Sequence, residues 1–259
     1  MFTDLMRDPK EITPHSLGTR FFQEKHFGGL ELVPSLLWGQ NWDFEVQDLE
    51  TIDCNVTAIQ SLTFGVPLVL SVFPPKGSSL EGAWKRRLTK LSQLSEHFKD
   101  ATFILGSPLQ RKLSGLNLNE AQSVFERYIS NLLEFLPGRN TVSIENCNQF
   151  QGSEFGIGLT GAIKTIRALN EERVGLNFDF ESWIGELEAD ESPNFEELER
   201  TMADVKVTNI QFGRSALTRE AINFLHQLAI KNHCAMSVED SRLGSVKELM
   251  ELHEIGINL

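Results

Sequence analysis

The chain has 259 residues, 41% hydrophobic and 23% charged, which is the composition of an ordinary folded domain. A net charge of −12 disfavours a nucleic-acid backbone as the main partner, although a local basic group could still bind a phosphorylated small molecule. The first 30 residues show no apolar signal sequence, and no run approaches about 18 apolar residues. We therefore expect neither a secretion signal nor a membrane span.

The three cysteines, Cys54, Cys147 and Cys234, lie in or beside strand-like apolar runs, without CxxC spacing. This pattern is typical of buried free thiols and favours a reducing, cytoplasmic location.

Strand-like and helix-like segments alternate along the chain. In chain order, the first half is predicted to contain strand Phe2–Met6, helix Ser16–His26, strand Gly29–Pro34, helix Trp42–Asp53, strand Cys54–Leu62, a helix from Leu80 to Leu94, strand Ala101–Leu105 and helix Asn119–Leu136. The second half is predicted to contain strand Thr141–Glu145, helix Thr160–Asn170, strand Val174–Asp179, a helix from Ser192 to Met202, strand Val205–Phe212, helix Thr218–Lys231, strand Cys234–Glu239 and helix Ser245–Glu254. Either Asn117 or Asn119 caps the Asn119–Leu136 helix.

This alternation predicts an α/β fold with a parallel sheet, because short connections place a helix between each pair of strands. About eight such units in 259 residues indicate a single domain spanning 1–259, a (β/α)8 TIM barrel with eight parallel strands. An open, doubly wound sheet is the alternative, but the GxGxxG phosphate loop that often marks that fold is absent from the sequence.

Three predicted strands end in a carboxylate, at Glu145, Asp179 and Glu239. The carboxyl ends of barrel strands form the active-site face, so we expect these acids to meet at one rim. Clustered carboxylates raise one another's pKa unless a cation compensates, and their hard oxygens suit Mg²⁺ or Mn²⁺. An ion between Glu145 and Glu239 could polarise a substrate carbonyl while a carboxylate removes the α-proton.

Further polar residues follow other predicted strands and are candidates for substrate contact. They are Glu31, Gln60, Ser107, Arg111, Asn148 and Arg214, with Gln211 and Asp240 at the same rim. Each also has a plainer interpretation: an acid can cap a helix or form a loop salt bridge, and Glu31 can bond a neighbouring loop. Arg111 could clamp a phosphate or carboxylate, or lie on the surface paired with an acid.

Four segments resemble the xylose isomerase-like superfamily of TIM barrels, which includes sugar isomerases, ketose 3-epimerases, inosose dehydratases and class II apurinic endonucleases. The resemblance covers nearly the whole chain and is carried by Gly28-Gly29-Leu30-Glu31-Leu32, Ser143-Ile144-Glu145-Asn146, Val174-Gly175-Leu176-Asn177-Phe178-Asp179 and Met236-Ser237-Val238-Glu239. Gln60-Ser61-Leu62 and Gly106-Ser107-Pro108 with Arg111 are similar to segments of the bacterial sugar phosphate isomerase/epimerase-like proteins.

The resemblance implies that Glu145 and Glu239 are metal ligands that also exchange the substrate proton, with Asp179 as third ligand and Gln211 as a weak fourth. Gln211 stands where the family has a histidine, and Ser182 stands where a histidine often follows the aspartate. These departures shift the expected ion from Zn²⁺ towards Mg²⁺, Mn²⁺ or Co²⁺, or towards no ion.

The implied activity is a divalent-metal-dependent isomerase or epimerase of a sugar or sugar phosphate, with a carbohydrate as the partner molecule and a homodimer as a possible assembly. A catalytically decayed, metal-free barrel that binds sugars or acts as a scaffold is the alternative, motivated by Gln211 and Ser182. The acidic balance and the missing ligand histidines argue against a DNA-repair endonuclease.

Overall fold

The computed structural model describes residues 2–3, 29–39, 42–52, 55–60, 62, 76–106, 108, 111–149, 153–188, 191–213 and 218–238. The predicted helices Ser16–His26 and Ser245–Glu254 lie outside the described residues, as does Cys54. No helix in the described part of the chain combines the length and the apolar character needed to cross a membrane.

The strands form one parallel sheet in the spatial order β1-β8-β7-β6-β5-β4-β3-β2. They are β1 Phe2–Thr3, β2 Leu30–Leu32, β3 Val56–Ile59, β4 Thr102–Leu105, β5 Thr141–Glu145, β6 Val174–Asp179, β7 Val207–Phe212 and β8 Ala235–Val238. The strands β2 to β8 confirm a nearly closed parallel barrel with helices between strands. A complete eight-stranded barrel stays a prediction, because β1 covers two residues and no pairing joins β1 to β2 within the described ranges.

Eight helices are described between the strands. They are α1 Pro34–Leu37, α2 Val46–Glu50, α3 Ser79–His97, α4 Leu118–Phe135, α5 Gly158–Leu169, α6 Phe180–Ile184, α7 Phe195–Thr201 and α8 Arg219–Asn232. The long helix predicted from Trp42 is wrong at its start, because Trp42 has a φ of 58° and Glu45 caps a helix of five residues. The start predicted at Ser192 is also wrong, since Asn194 caps α7 through the Glu197 amide.

Alternation along the strands separates an apolar outer face from a polar interior. On β5, Val142 and Ile144 are fully buried in the hydrophobic core, while Ser143 lies on the opposite face. The Ser143 and Thr208 hydroxyls are 2.5 Å apart, although β5 and β7 are not neighbours in the sheet. This contact therefore passes over β6, which lies between the two strands, at Gly175.

Asn117 is the residue that caps α4, which settles the choice left open by the sequence. Its Oδ1 accepts hydrogen bonds from the amides of Asn119 and Glu120, each at 3.0 Å, and Glu120 returns a bond to the Asn117 amide. We expect Asn117→Ala to lower the free energy of unfolding by about 1 kcal/mol, because two amides lose their acceptor. Urea unfolding measures this change. Asn119→Ala is the matched control, and an equal loss in both variants would contradict the assignment.

Candidate functional site at the carboxyl end of the barrel

Glu145 ends β5 at the carboxyl edge of the barrel, where the sequence predicted a functional acid. The thiol of Cys147 lies 3.5 Å from its Oε1 and donates to it. Burial, reinforced by the negative charge of Asp179, raises the pKa of Glu145 from the ordinary 4.5 to about 7. A carboxyl group with this pKa can both accept and release a proton near neutral pH.

Glu31 is buried within a set of polar side chains that crosses the barrel. Its Oε1 accepts from the Nε2 of Gln60 and from the Nε2 of Gln211, the latter at 2.5 Å, and its Oε2 accepts from Asn209 at 3.4 Å. Burial raises the pKa of Glu31 to about 7, opposed by the bonds from Ser237, Gln211 and Asn209. Because β2 and β7 are not neighbours, the bonds from Gln211 and Asn209 link opposite walls of the barrel.

Gln211 has a second partner in this interior network. Its Oε1 accepts from the Asn177 side chain, whose own Oδ1 accepts from Asn209 at 2.9 Å. Both polar atoms of Gln211 are therefore engaged, and the metal-ligand role predicted for it competes with these bonds. Asn177 and Asn209 were missed by the sequence analysis, although their spacing of two residues from Asp179 and Gln211 indicates a shared interior face.

Asp179 ends β6 and caps the short helix α6, the plainer role that the sequence left open for it. Its Oδ1 accepts from the amide of Ser182 at 3.1 Å, and its Oδ2 accepts from the Ser182 hydroxyl at 2.5 Å. Burial raises the pKa of Asp179, although these bonds oppose the change. Ser182 therefore orients the Asp179 carboxylate.

Two asparagines after β5 connect it to β6 and its helix. Asn146 is fully buried; it donates to the Asp179 carbonyl at 2.9 Å and accepts from the Asp179 amide at 2.7 Å. Asn148, predicted to contact substrate, donates to the Ser182 carbonyl at 3.1 Å. Asn146 was not predicted, because its role depends on a contact between strands that sequence spacing does not reveal.

Arg111 is completely buried, so its predicted alternative as a surface arginine is wrong. The guanidinium donates four hydrogen bonds to backbone carbonyls, of Leu105, Gly106, Glu145 and Gly156. These bonds place Arg111 within the wall of the site, where it holds the rim together. Contact with a substrate phosphate or carboxylate stays a prediction.

Other predicted site residues, Ser107, Arg214, Glu239 and Asp240, lie outside the described residues. Within the part of the chain that is described, no group of three His, Cys, Asp or Glu side chains is arranged to hold a metal ion. The donor chemistry nevertheless fits a hard cation, because Glu31, Glu145 and Asp179 offer carboxylate oxygens. Burial raises the pKa of Glu31 and of Glu145, and repulsion from Asp179 raises both further. A divalent ion would relieve this repulsion through oxygen ligands.

The raised pKa values predict a loss of stability as pH rises. In the unfolded chain Glu31 and Glu145 ionise near 4.5, whereas the folded protein retains both protons until about pH 7. Their stabilising contribution is complete below pH 4.5, falls through this window and is absent above pH 7. In EDTA buffer, urea unfolding should show a smaller loss between these pH values for Glu31→Gln than for the wild type. Equal losses would contradict this assignment.

No protein-family model matches the chain, and no curated protein is significantly similar to it. Solved structures do match. The 3-keto-D-glucoside 4-epimerase YcjR of E. coli is 14% identical over 91% of this chain and 90% of its own, with a TM-score of 0.60. A D-tagatose 3-epimerase-like protein is 12% identical over 90% and 88%, with a TM-score of 0.62.

An AP endonuclease of family 2 from Brucella melitensis is 14% identical over 87% of this chain and 90% of its own, with a TM-score of 0.58. Sequence identities this low show a shared fold only, so the activity has to be argued from the residues of the site. The chain therefore has the fold of the xylose isomerase-like TIM barrels.

Proposed function

We propose that this protein is an isomerase or epimerase of a sugar or sugar phosphate, which moves a proton on the carbon next to a carbonyl. The observation that carries the proposal is the position of Glu145, whose carboxyl group ends β5 at the mouth of the barrel beside Gly106 and the Cys147 thiol. Without a bound ion, burial raises the pKa of Glu145 to about 7, so the group can both accept and release a proton near neutral pH. A bound cation would favour the deprotonated form that acts as the base. The sugar epimerases among the similar structures support the same class of reaction.

Glu145 and Glu239 are the proposed proton-transfer pair. One carboxylate removes the α-proton. In an epimerase reaction, the other carboxylate then returns a proton from the opposite face of the substrate. Glu31 and Gln60 are proposed to contact substrate hydroxyls, together with Ser107, Asn148 and Arg214. Arg214 would supply positive charge for a phosphorylated sugar.

A divalent ion, Mn²⁺, Mg²⁺ or Co²⁺, is part of the proposal. Glu145, Asp179 and Glu239 would hold it, and Gln211 could join them where its bond to Asn177 is given up. When bound, the ion would stabilise negative charge that develops on the substrate carbonyl oxygen. Ser182 and Asn146 keep Asp179 oriented, through the side-chain bond at 2.5 Å and the pair of bonds to the Asp179 backbone.

Product formation tests the proposal. The protein is incubated with D-tagatose, D-fructose or D-fructose 6-phosphate, each in the presence of Mn²⁺, Mg²⁺ or EDTA, and the sugars are separated by chromatography. We expect an epimer or aldose to form from at least one of these sugars, with Mn²⁺ or Mg²⁺ required. Absence of product from all three, with folded protein and added metal, would count against the proposal.

A metal-free, catalytically inactive barrel that binds sugars is the second candidate. The observation that favours it is the commitment of polar groups to internal bonds: Gln211 binds Glu31 and Asn177, and Asp179 caps a helix with Ser182. This candidate predicts that calorimetry detects D-tagatose binding with EDTA present and that no product forms. Metal-dependent turnover would remove it.

A further inference from the structure

Arg111 is a charged side chain that is completely buried next to the candidate site. We propose that Arg111 is a positioning residue that fixes Glu145 and the β5–α5 connection at the mouth of the barrel through backbone carbonyls. The catalytic consequence rests on the proposed function, whereas the positioning itself follows from the hydrogen bonds.

The bonds of Arg111 join three separate segments of the rim. Its guanidinium donates to Leu105 O at 2.9 Å and Gly106 O at 3.1 Å after β4, and to Glu145 O at 3.0 Å at the end of β5. A fourth bond, 3.0 Å long, reaches Gly156 O in the connection to α5. One rigid planar group thus sets the spacing between two strand ends and a loop.

The charge of Arg111 is balanced by these carbonyl dipoles, by an aromatic ring and, at longer range, by the Glu145 carboxyl group. Among the described residues, no carboxylate forms an ion pair with it. Its guanidinium carbon lies 5.0 Å from the centre of the Phe125 ring, within the range of a cation–π interaction. Because all four hydrogen bonds of the buried guanidinium end on backbone carbonyls, Arg111 stabilises the rim of the site.

Glu145 is held from two directions by this arrangement. Arg111 binds its backbone carbonyl, and the side chain lies against Gly106, where an added β-carbon would overlap the carboxylate. Arg111 also binds the Gly106 carbonyl, so one residue fixes both the acid and the surface against which its carboxylate rests. Loss of this geometry would move the carboxylate relative to a substrate.

The main chain extends the same link into the β5–α5 connection. The amide of Glu154 donates to the Arg111 carbonyl at 2.8 Å, and the amide of Gly158 donates to the Cys147 carbonyl at 2.8 Å. These two amides report directly on whether the rim keeps its arrangement.

Arg173 is a matched control at the opposite end of the barrel. It precedes β6, and its guanidinium also binds two backbone carbonyls, of Leu133 at 3.0 Å and Leu136 at 3.1 Å. Its own carbonyl accepts from the Val142 amide at 2.8 Å. Lysine keeps the charge but lacks the planar fork, so Arg111→Lys and Arg173→Lys remove the same kind of contact at the two ends.

The experiment compares the wild type with both variants in amide hydrogen exchange by NMR and in α-proton exchange of D-tagatose in D₂O with Mn²⁺. In Arg111→Lys we expect exchange at Glu154 and Gly158 to rise about tenfold, kcat to fall about 30-fold and KM to change less than about threefold. In Arg173→Lys we expect faster exchange at Val142 and a kcat within about threefold of the wild type.

Unchanged protection of Glu154 and Gly158 in Arg111→Lys would overturn the inference, as would an equal fall of kcat in both variants. Should Arg111→Lys fail to fold, Arg111→Gln, which keeps a planar donor, is measured in its place. Failure of both to fold while Arg173→Lys folds would also overturn it, because the role would then be general stability. A wild type without any α-proton exchange would refute the proposed function, and amide exchange would still decide the role of Arg111.

Discussion

Glu145→Gln is expected to lower the rate of α-proton exchange at least about 1,000-fold, because the amide cannot accept the substrate proton. Glutamine keeps the size and shape of the side chain, and its oxygen can still accept from the Cys147 thiol. The variant should be at least as stable as the wild type at neutral pH, since the site no longer has to hold an ionised Glu145, whose pKa burial raises to about 7. Loss of activity would then reflect chemistry.

The measurement follows the ketose α-proton by NMR in D₂O, with thermal unfolding recorded in parallel. Glu154→Gln is the matched control, because Glu154 is a nearby exposed acid whose bond to the Leu113 amide, 2.8 Å long, glutamine can replace. We expect its exchange rate to stay within about threefold of the wild type. An active Glu145→Gln variant would assign the proton transfer to another residue.

Gly175→Ala is expected to lower the free energy of unfolding by about 3 kcal/mol, because the barrel wall has no room for a β-carbon there. A β-carbon at this position would overlap the Thr208 methyl group and lie 2.7 Å from the Lys206 carbonyl oxygen. Gly175 pairs with Ser143 on β5, so its missing side chain leaves room for the Ser143–Thr208 contact over β6. Alanine would force the backbone or Thr208 to move.

Thermal unfolding measures this change, with an expected fall in Tm of about 6 to 12 °C. Gly138→Ala is the control, because a β-carbon there meets no atom within 4 Å among the described residues. We expect Gly138→Ala to be neutral or slightly stabilising, since alanine restricts the unfolded chain. A Gly175→Ala variant as stable as the wild type would contradict the packing described for the interior.

The strands were predictable because buried parallel strands appear as apolar runs with turn residues at their ends. Thr141–Glu145 and Val174–Asp179 match the prediction at both ends. The α2 region was not predictable in the same way, because apolar spacing from Trp42 onward suggested a longer helix. The positive φ of Trp42 belongs to a turn, and the side chain is buried by tertiary packing that spacing does not encode.

The sequence predicts the acids of the site but not the amide side chains that support them. Glu145 and Asp179 stand out as charges after apolar runs, whereas Asn177 and Asn209 lie inside such runs and resemble ordinary strand residues. Polar residues inside a strand, two positions from a terminal acid, lie on the same interior face as that acid. They are therefore equally good candidates for the site. The bond between Asn146 and the Asp179 backbone depends on the register of β5 and β6, which the sequence does not specify.

Two side chains at the candidate site hold acids in place at positions where the resemblance has histidines. Ser182 donates to the Asp179 carboxylate, and Gln211 donates to Glu31. Both side chains therefore stabilise acids from within the protein. For the proposed metal site we expect a weakly held hard ion rather than Zn²⁺, in line with the oxygen donors of these side chains.

Transfer of deuterium from solvent to a ketose tests directly whether the protein moves a proton on the carbon next to a carbonyl. The wild-type protein is incubated with D-tagatose or D-fructose in D₂O with Mn²⁺. Protein and paramagnetic ion are removed from timed samples, and the proton signals of the carbons next to the carbonyl are then recorded by NMR. We predict that one of these signals disappears at a rate proportional to protein concentration, and that Glu145→Gln abolishes the loss. Full retention of every α-proton by both sugars, with folded wild-type protein and bound Mn²⁺, would contradict it.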